Sequence, residues 1–505
     1  MAHFRLHRVG ISLALVSFAA AVGQVRIAGY TTNDQQTYGP ALQRIAYDPL
    51  AGVHVVWKDA SSNPFYNYFE LLSETWHWPA GVRVLDRQLV LGNLALSPAD
   101  RRLSVSCSYF SEGRRHSCFA QDTSIGSGGF VFDEYESPDD LASNLMATTV
   151  GGTRHFTELR HDSINYHRGG SSTWLGRIGI FPSHNIAASH TSSALSIFWT
   201  KNEAPDEGVL YLRRSANNGI SWRSAIIPSC SIPDTARNTF LGAYGEFDES
   251  GALHVVCNIY DGSNRYSSAL WHYCEADTPN WSLVHCFSAR CASGDLPGEA
   301  LIAGRPSIGQ DPGTGDLFVV WEQFDTANVE TATGILRADI WACRSNNNGR
   351  TWGRPVRLTE PDNTSKRYPC IARRVDENLH IAYLIDSIAG FAAQGQGRAT
   401  QNPTVYHQVP ASAIPTAIAE SPARLSPADL DLAVAPNVSR ILFRIQYSSA
   451  SSARIRILDC SGRVVRTWQV GPLRNSHSAL RTPRCFGTGL MTQANELSAV
   501  SISAS

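Results

Sequence analysis

The sequence predicts an all-β chain: a β-propeller of seven blades, with six the alternative, followed by a small Ig-like β module. Three observations carry this expectation. A turn rich in Asp, Gly or Pro precedes a short apolar strand seven times, at spacings of about 40 to 65 residues, the range of propeller blades. Each copy expands into short β-branched and aromatic runs punctuated by turn residues, as strands are. Only 17% of residues are charged and 10% are aromatic, a composition that suits packed sheets rather than disorder or a coiled coil. At 505 residues the chain is too long for one small core, so a large repeat domain plus an extra unit is expected. The formal net charge of −1 gives no global attraction to nucleic acid or to an anionic membrane.

Residues 1–23 read as a signal peptide. His3, Arg5, His7 and Arg8 make a basic start, Ile11 to Val22 is a short apolar run, and Ala21-Val22-Gly23 offers small residues before Gln24. The run is short for a bilayer span, and no other stretch approaches eighteen apolar residues. The expected location is therefore secreted or outer cell surface, with no transmembrane segment in the mature chain.

The clearest repeats are Asp48-Pro49 leading to Val53-His54-Val55-Val56-Trp57, Asp248 to Leu253-His254-Val255-Val256, Asp311-Pro312 to Leu317-Phe318-Val319-Val320-Trp321, and Asp376 to Leu379-His380-Ile381-Ala382-Tyr383. Weaker copies start at Pro98, Gly151-Gly152 and Ser192. A strand precedes each turn, and a third and fourth follow, the fourth often opening on Trp, as at Trp76, Trp174, Trp222, Trp281 and Trp352. The seventh unit lacks a fourth strand. Val25 to Tyr30 is an unassigned strand at the other end of the chain. Placing it in the last blade closes the ring over residues 24–410 and hides an edge open to strand addition. The third unit is the weakest, which keeps six blades as the alternative.

Histidines 54, 254 and 380 share one repeat position. Such regularity points to a structural role, a histidine packed or hydrogen-bonded on each blade, not to a metal, and no cofactor is expected. Eleven cysteines fit an exported protein, but the count is odd and there is no CxxC or zinc-type spacing. Cys107/Cys118 and Cys257/Cys274 are candidate cross-strand pairs, with Cys286/Cys291 and Cys460/Cys485 weaker ones. The alternative is that these are small buried apolar residues.

Two turns between third and fourth strands carry a motif. Ser215-Ala216-Asn217-Asn218-Gly219-Ile220-Ser221-Trp222 and Ser345-Asn346-Asn347-Asn348-Gly349-Arg350-Thr351-Trp352 resemble the Asp box, Ser-x-Asp-x-Gly-x-Thr-Trp, of the sialidase-like propeller superfamily. A side-chain oxygen at the third position can bond turn amides. Gly supplies positive φ, and Trp buries its ring. Asn217 and Asn347 keep the oxygen and lose the charge. Gly170 to Trp174 and Asp277 to Trp281 look like worn copies. The resemblance implies a scaffold role for Ser215, Asn217, Gly219, Trp222, Ser345, Asn347, Gly349 and Trp352, because the boxes lie on blade peripheries.

A sialidase-like active site would add an arginine triad for the substrate carboxylate, a Tyr/Glu pair and an acid/base Asp. An arginine fork suits a carboxylate because it bonds both oxygens. The family's Phe/Tyr-Arg-Ile-Pro string should come early in the propeller. The similar string Phe443-Arg444-Ile445-Gln446 lies beyond it, lacks the Pro and reads as an ordinary strand. Arg305 and Arg367 begin first strands. Asp59, Glu322 and Asp325 follow second strands, as do Lys58, Asp261 and Asp386. Arg305, Arg367, Asp59, Glu322 and Asp325 are the candidate ligand face. Paired carboxylates there could hydrolyse a glycoside, and the alternative is that these groups solvate strand ends.

Residues 411–430 have the Ala/Pro/Ser composition of a linker. In residues 431–505, Ile455 to Trp468 with Pro436-Asn437 upstream resembles the sorting modules of bacterial type IX secretion, with an Asp459-x-x-Gly462-Arg463 hairpin. Nine Arg against three acidic residues make this tail basic. It departs from the pattern by ending, over Ser478 to Ser505, without a Gly-x-Tyr strand. The resemblance implies the export machinery as a partner.

These readings point to a secreted or cell-surface, non-catalytic propeller that binds glycan or a surface protein and does not bind nucleic acid. A secreted sialidase-like glycoside hydrolase and a purely structural surface protein are the alternatives. Three arginines converging beside a Tyr/Glu pair would favour the hydrolase.

Overall fold

The computed structural model describes residues 23–417, apart from residues 38, 86–88, 136–140, 161, 169–170, 178–182, 202–207, 229–237, 261–263, 278, 290–291 and 299, and five further strands between 433 and 504. Seven antiparallel sheets follow one another along the chain as the blades of a propeller. β1 (Gln24–Thr31) comes first. Blade 1 holds β2 (Ile45–Asp48), β3 (Gly52–Lys58), β4 (Pro64–Glu70), β5 (Thr75–Trp76) and β6 (Val82–Arg83). Blade 2 holds β7 (Val90–Leu96), β8 (Leu103–Ser111), β9 (Arg114–Asp122) and β10 (Phe130–Tyr135). Blade 3 holds β11 (Leu141–Thr148), β12 (Arg154–Arg160), β13 (Ser163–Arg168) and β14 (Ser171–Arg177). Blade 4 holds β15 (Ser183–Ala188), β16 (Leu195–Thr200) and β17 (Leu210–Ser215). Blade 5 holds β18 (Asn238–Phe247), β19 (Leu253–Tyr260), β20 (Ser267–Cys274) and β21 (Trp281–Ser288). Blade 6 holds β22 (Ala303–Gln310), β23 (Leu317–Val329), β24 (Leu336–Ser345) and β25 (Val356–Arg357). Blade 7 holds β26 (Ser365–Ile371), β27 (Asn378–Asp386) and β28 (Asn402–Pro410).

The ring closes as expected: β1 pairs antiparallel with β28, from Gln24↔Gln408 to Thr31↔Asn402. The third unit, the weakest in sequence, is a complete four-stranded blade, so the count is seven. Blade 4 corrects the expected fourth strand at Trp222 to Ile227: that segment touches the sheet through one bridge, Leu212↔Ile226.

The core lies between blades. Phe198, Leu212, Val255 and Trp281 pack between blades 4 and 5. Ala28, Trp57, Phe69 and Tyr406 pack across the closing seam of blades 7 and 1. Middle strands are therefore covered on both faces, which is why they read as apolar runs rather than alternating ones. Every residue of β3 and β16 is buried. First strands contact one another around the axis. Asn93 Nδ2 donates to Met146 O at 2.9 Å, and the Ile371 amide donates to Ser307 Oγ at 3.1 Å.

Cys107 and Cys118 are direct register partners. Cys257 and Cys274 are not: Cys257 faces Trp271 and Cys274 faces His254. That offset of three residues, about 10 Å at strand rise, is too long for a disulfide. Cys291, Cys460, Cys485 and Asp261 lie outside the described residues, as do the signal peptide up to Val22 and the linker from Ile418. Before that point the chain stays packed: Ala411 and Ile414 are buried with Phe318 and Val409.

The C-terminal unit forms a two-stranded sheet, β29 (Ala433–Asn437) with β30 (Leu442–Gln446), and a three-stranded sheet. In the latter, β31 (Ala453–Asp459) lies between β32 (Val464–Val470) and β33 (Leu497–Ala504). β30 contains the Phe443-Arg444-Ile445-Gln446 string as a plain strand. β33 lies in the Ser478 to Ser505 tail and carries no Gly-x-Tyr. Its apolar residues, Leu497, Ala499, Val500, Ile502 and Ala504, alternate with Ser over most of its length, a weak period-two signal.

Candidate functional site

The two Asp-box-like turns are alike in atomic detail. Ser215 Oγ accepts from the Gly219 amide at 2.9 Å and donates to Asn217 Oδ1 at 3.0 Å. Asn217 Oδ1 also accepts from the Ser221 amide at 3.0 Å. Ser345, Asn347, Gly349 and Thr351 repeat this set. Asn adds a bond that Asp cannot donate: Nδ2 gives a hydrogen to Ser221 Oγ at 2.9 Å and, in the second turn, to Thr351 Oγ1 at 2.7 Å. Gly219 and Gly349 have φ of +74° and +80°. A Cβ on them would lie 1.7 Å from Tyr166 Oη and 2.2 Å from the His272 ring. Trp222 meets the Tyr166 ring edge-on, and Trp352 Nε1 donates to Ser282 Oγ at 3.1 Å. Each turn is thus a clasp on the preceding blade. Asp277, in a worn copy, accepts Arg350 at 2.8 Å.

The repeated histidines are tied within their blades. His54, His155 and His380 each meet a tyrosine hydroxyl through Nδ1, at 2.8, 2.7 and 2.7 Å from Tyr66, Tyr166 and Tyr406. His254 meets His272 at 2.9 Å. Burial pushes the His54 and His155 imidazoles down to about 4, so both are neutral at pH 7.

First strands begin, and second strands end, on the face opposite the first-to-second-strand turns. Three arginines converge at that end. Arg44, just before β2, is 1% exposed, Arg305 in β22 is 3%, and Arg367 in β26 is 0%. Glu322, from β23, sits among them with 0% exposure. Its Oε1 accepts Arg305 Nη1 at 2.5 Å and lies 3.8 Å from Arg367 Nη2. Its Oε2 accepts the Tyr368 amide at 2.8 Å. Arg44 Nη2 donates to the Tyr368 carbonyl. Arg305 and Arg367 both stack on the Tyr368 ring, at 4.9 and 4.8 Å, and Phe391 covers Arg367 at 4.5 Å. Asp34 holds the cover by accepting the Ala392 amide at 2.5 Å.

The backbone is bent to make this. Arg305 and Tyr368 have φ of +51° and +56°, each inside a bulge of its first strand. Positive φ on bulky residues costs on the order of 1–3 kcal/mol and concentrates where a site needs a side chain aimed.

The cluster is electrostatically unfinished. Arg44 Nη1, Arg367 Nε, Nη1 and Nη2, the Tyr368 hydroxyl and Asp386 Oδ2 are buried without a hydrogen-bond partner among the described residues. Burial lowers the Arg44 pKa, against the attraction of Cys370, Tyr368 and Glu322. Burial also works against the Glu322 carboxylate, but Arg305 and Arg367 outweigh it and hold its pKa below the usual range. Burial pushes Asp386 up to about 7, against Arg367 and the Asn402 amide. It pushes Tyr368 up to about 12. Three buried guanidiniums therefore share Glu322 as their nearest carboxylate, with Asp386 and Asp34 also attracting Arg367, in an interior where an unpaired charge is costly.

Of the sequence candidates, the structure brings together Arg305, Arg367 and Glu322. Asp59 is elsewhere, capping its own turn through the Ser61 and Asn63 amides, both at 2.8 Å. Asp325 likewise accepts the Ala327 amide at 2.9 Å, with Arg357 3.9 Å away. Sequence reasoning missed Arg44 and Tyr368. Arg44 stands in Gln43-Arg44-Ile45, early in the propeller where an arginine was sought, but without the flanking aromatic and Pro. A repeat-level signal was present too: Arg305-Pro306 and Arg367-Tyr368-Pro369 both place Arg and Pro at a first-strand bulge.

No family model and no curated protein matches this chain. Among solved structures, it is similar to a polysaccharide lyase of a new family, an ulvan lyase (9% identity, 77% of this chain and 100% of that one, TM-score 0.46). It is similar also to a Hadza microbial sialidase (10%, 77% and 69%, 0.40) and to the fucose-specific lectin from Aleuria aurantia (9%, 58% and 87%, 0.34). At such low identity and overlap, none of them assigns chemistry to a residue of this chain.

Proposed function

We propose that this propeller binds an acidic saccharide, taking its carboxylate at the Arg44–Arg305–Arg367 cluster, and that it does so without hydrolysing it. One observation carries the reading: buried Arg305 and Arg367 meet the Glu322 carboxylate, buried Arg44 bonds the adjoining Tyr368 carbonyl, and several of their N–H groups have no acceptor among the described residues. A ligand carboxylate supplies both the missing negative charge and the acceptors, and arginine forks match its geometry. Access requires the Phe391–Ala392 segment to move off Arg367. A glycan array probed with the full chain tests this: acidic saccharides bind, and Arg367→Met removes the acidic hits. Retention of those hits in Arg367→Met overturns the assignment.

The hydrolase reading has the right residue types in one place, Tyr368, Glu322 and three arginines. Their wiring favours binding. A nucleophilic tyrosine needs a base within hydrogen-bond reach. The Tyr368 hydroxyl has no partner among the described residues, and both Glu322 oxygens are held by Arg305 and the Tyr368 amide. Turnover of a fluorogenic sialoside, lost in Tyr368→Phe, would replace the binding reading by the catalytic one.

The same proposal places the protein outside the cell, supported by the leader-like first residues and the basic tail that resembles a sorting module. Fractionation of expressing cells, with and without residues 431–505, tests it; retention of the full chain in the cytoplasm contradicts it.

A further inference from the structure

The opposite end of the axis, where first strands turn into second strands, holds a cavity of about 350 Å³ lined by residues of all seven blades. That is within the size of small-molecule sites, about 300–1,000 Å³. Its lining contains none of Arg44, Arg305, Arg367, Glu322 or Tyr368. Two of its lining side chains, Arg373 and Tyr244, tie blades together. Arg373 of blade 7 donates to Ala188 O of blade 4 at 2.6 Å and to Phe247 O of blade 5 at 2.8 Å, and lies 3.4 Å from Glu246. The Tyr244 hydroxyl sits between Gln43 of blade 1 and Glu246, 3.0 Å from the latter.

The charges of this cavity, unlike those of the arginine cluster, are already matched. Glu246 has Arg373, and Asp48 has Arg101 at 2.6 Å. At the rim, one exposed cation, Arg374, and one exposed anion, Glu249, leave the formal charge of the lining balanced. The wall between them is apolar, with Leu94, Met146 and Ile186. Apart from the exposed rim charges Arg374 and Glu249, one polar side chain in the lining is uncommitted among the described residues. His190 is half-buried and makes no hydrogen bond to a described residue. Burial and the nearby Arg373 hold its imidazole well below its usual pKa, so it offers one donor and one acceptor.

We infer that this cavity is a second ligand site, for an uncharged polyhydroxylated molecule such as a short neutral saccharide, with His190 as its hydrogen-bonding contact. Apolar walls take the C–H faces of such a ligand, a neutral imidazole takes its hydroxyls, and the balanced charges give no reason for an ion to enter. This site stands independently of the acidic-saccharide reading.

Saturation-transfer NMR of the full chain against a panel of neutral mono- and disaccharides and their uronic-acid counterparts tests it. At least one neutral sugar is expected to bind, with affinity at least tenfold weaker in His190→Ala and unchanged in Arg367→Met. His190 lies at the partly exposed lining, so its replacement spares the blade cores, and a circular dichroism melt checks the fold. The inference is overturned if no neutral sugar binds, if folded His190→Ala binds within twofold of wild type, or if an Arg367→Met variant shown folded by circular dichroism has lost neutral-sugar binding. Loss of acidic binding alone in Arg367→Met bears on the arginine cluster and leaves this site standing.

Discussion

Replacing Glu322 by Gln is the perturbation whose size the arginine cluster defines best. The substitution keeps the shape and an acceptor for the Tyr368 amide at 2.8 Å. It removes the one charge that meets Arg305 at 2.5 Å and Arg367 at 3.8 Å. Both arginines and Glu322 are 3% exposed or less, so solvent screens little of the loss. Breaking a buried ion pair from one side costs about 3–5 kcal/mol, a large part of the roughly 5–15 kcal/mol that holds a typical domain folded. Urea unfolding followed by fluorescence of the 12 tryptophans and by far-ultraviolet circular dichroism measures it, and coincident curves license the comparison. The pH dependence has a definite sign. The folded Glu322 pKa is depressed, so its stabilisation is present above the unfolded value of about 4.3 and is lost as pH falls below it. The wild type should lose its advantage over Glu322→Gln in that acid range. A difference under about 1 kcal/mol at pH 7, against the 3–5 expected of a buried pair, would refute the view that Glu322 holds the arginines together.

Arg44→Met should be cheap by contrast. It loses one bond to a carbonyl and removes a nitrogen that has no partner, so stability by urea unfolding should change by no more than about 1 kcal/mol; a loss near 4 kcal/mol would make Arg44 a structural group. Asn347→Ala removes three side-chain bonds in its turn and should cost about 1.5–3 kcal/mol. Asn347→Asp should stay within about 0.5 kcal/mol, because Thr351 can reverse its hydroxyl and donate; equal losses in the two variants would show that the clasp does not work through the oxygen. Burial raises the Cys257, Cys343 and Cys370 thiols, the last two to about 12 and about 11. Iodoacetamide at pH 8 should therefore leave these three unmodified in the folded protein, as read by peptide mass spectrometry, and label them after denaturation.

The blades were legible because their signal repeats. Apolar second strands such as Val53 to Trp57 follow punctuating turns, and the burial of β3 on both faces explains why they do not alternate. The closing strand was legible by elimination, since blade 7 lacked a fourth strand and Val25 to Tyr30 lacked a sheet. The Trp222 to Ile227 strand was misread because its Trp serves the clasp on Tyr166 rather than a ladder. The site was half legible. Arg305, Arg367 and Glu322 could be placed at strand ends by register alone. Asp59 and Asp325 share that placement but bond their own turns, a local competition that strand position does not reveal. Tyr368 was missed because its role depends on a left-handed backbone inside a bulge, which the sequence marks only through the Arg and Pro that Arg305-Pro306 and Arg367-Tyr368-Pro369 share.

The central claim is that the arginine cluster takes a carboxylate. Calorimetric titration of glucuronate into the wild type and into Arg44→Met tests it most directly, because Arg44 has the weakest structural role of the three arginines. The account predicts measurable binding to the wild type and at least a tenfold loss of affinity in a folded Arg44→Met. Equal affinity in the two proteins, or no binding to the wild type, would contradict it.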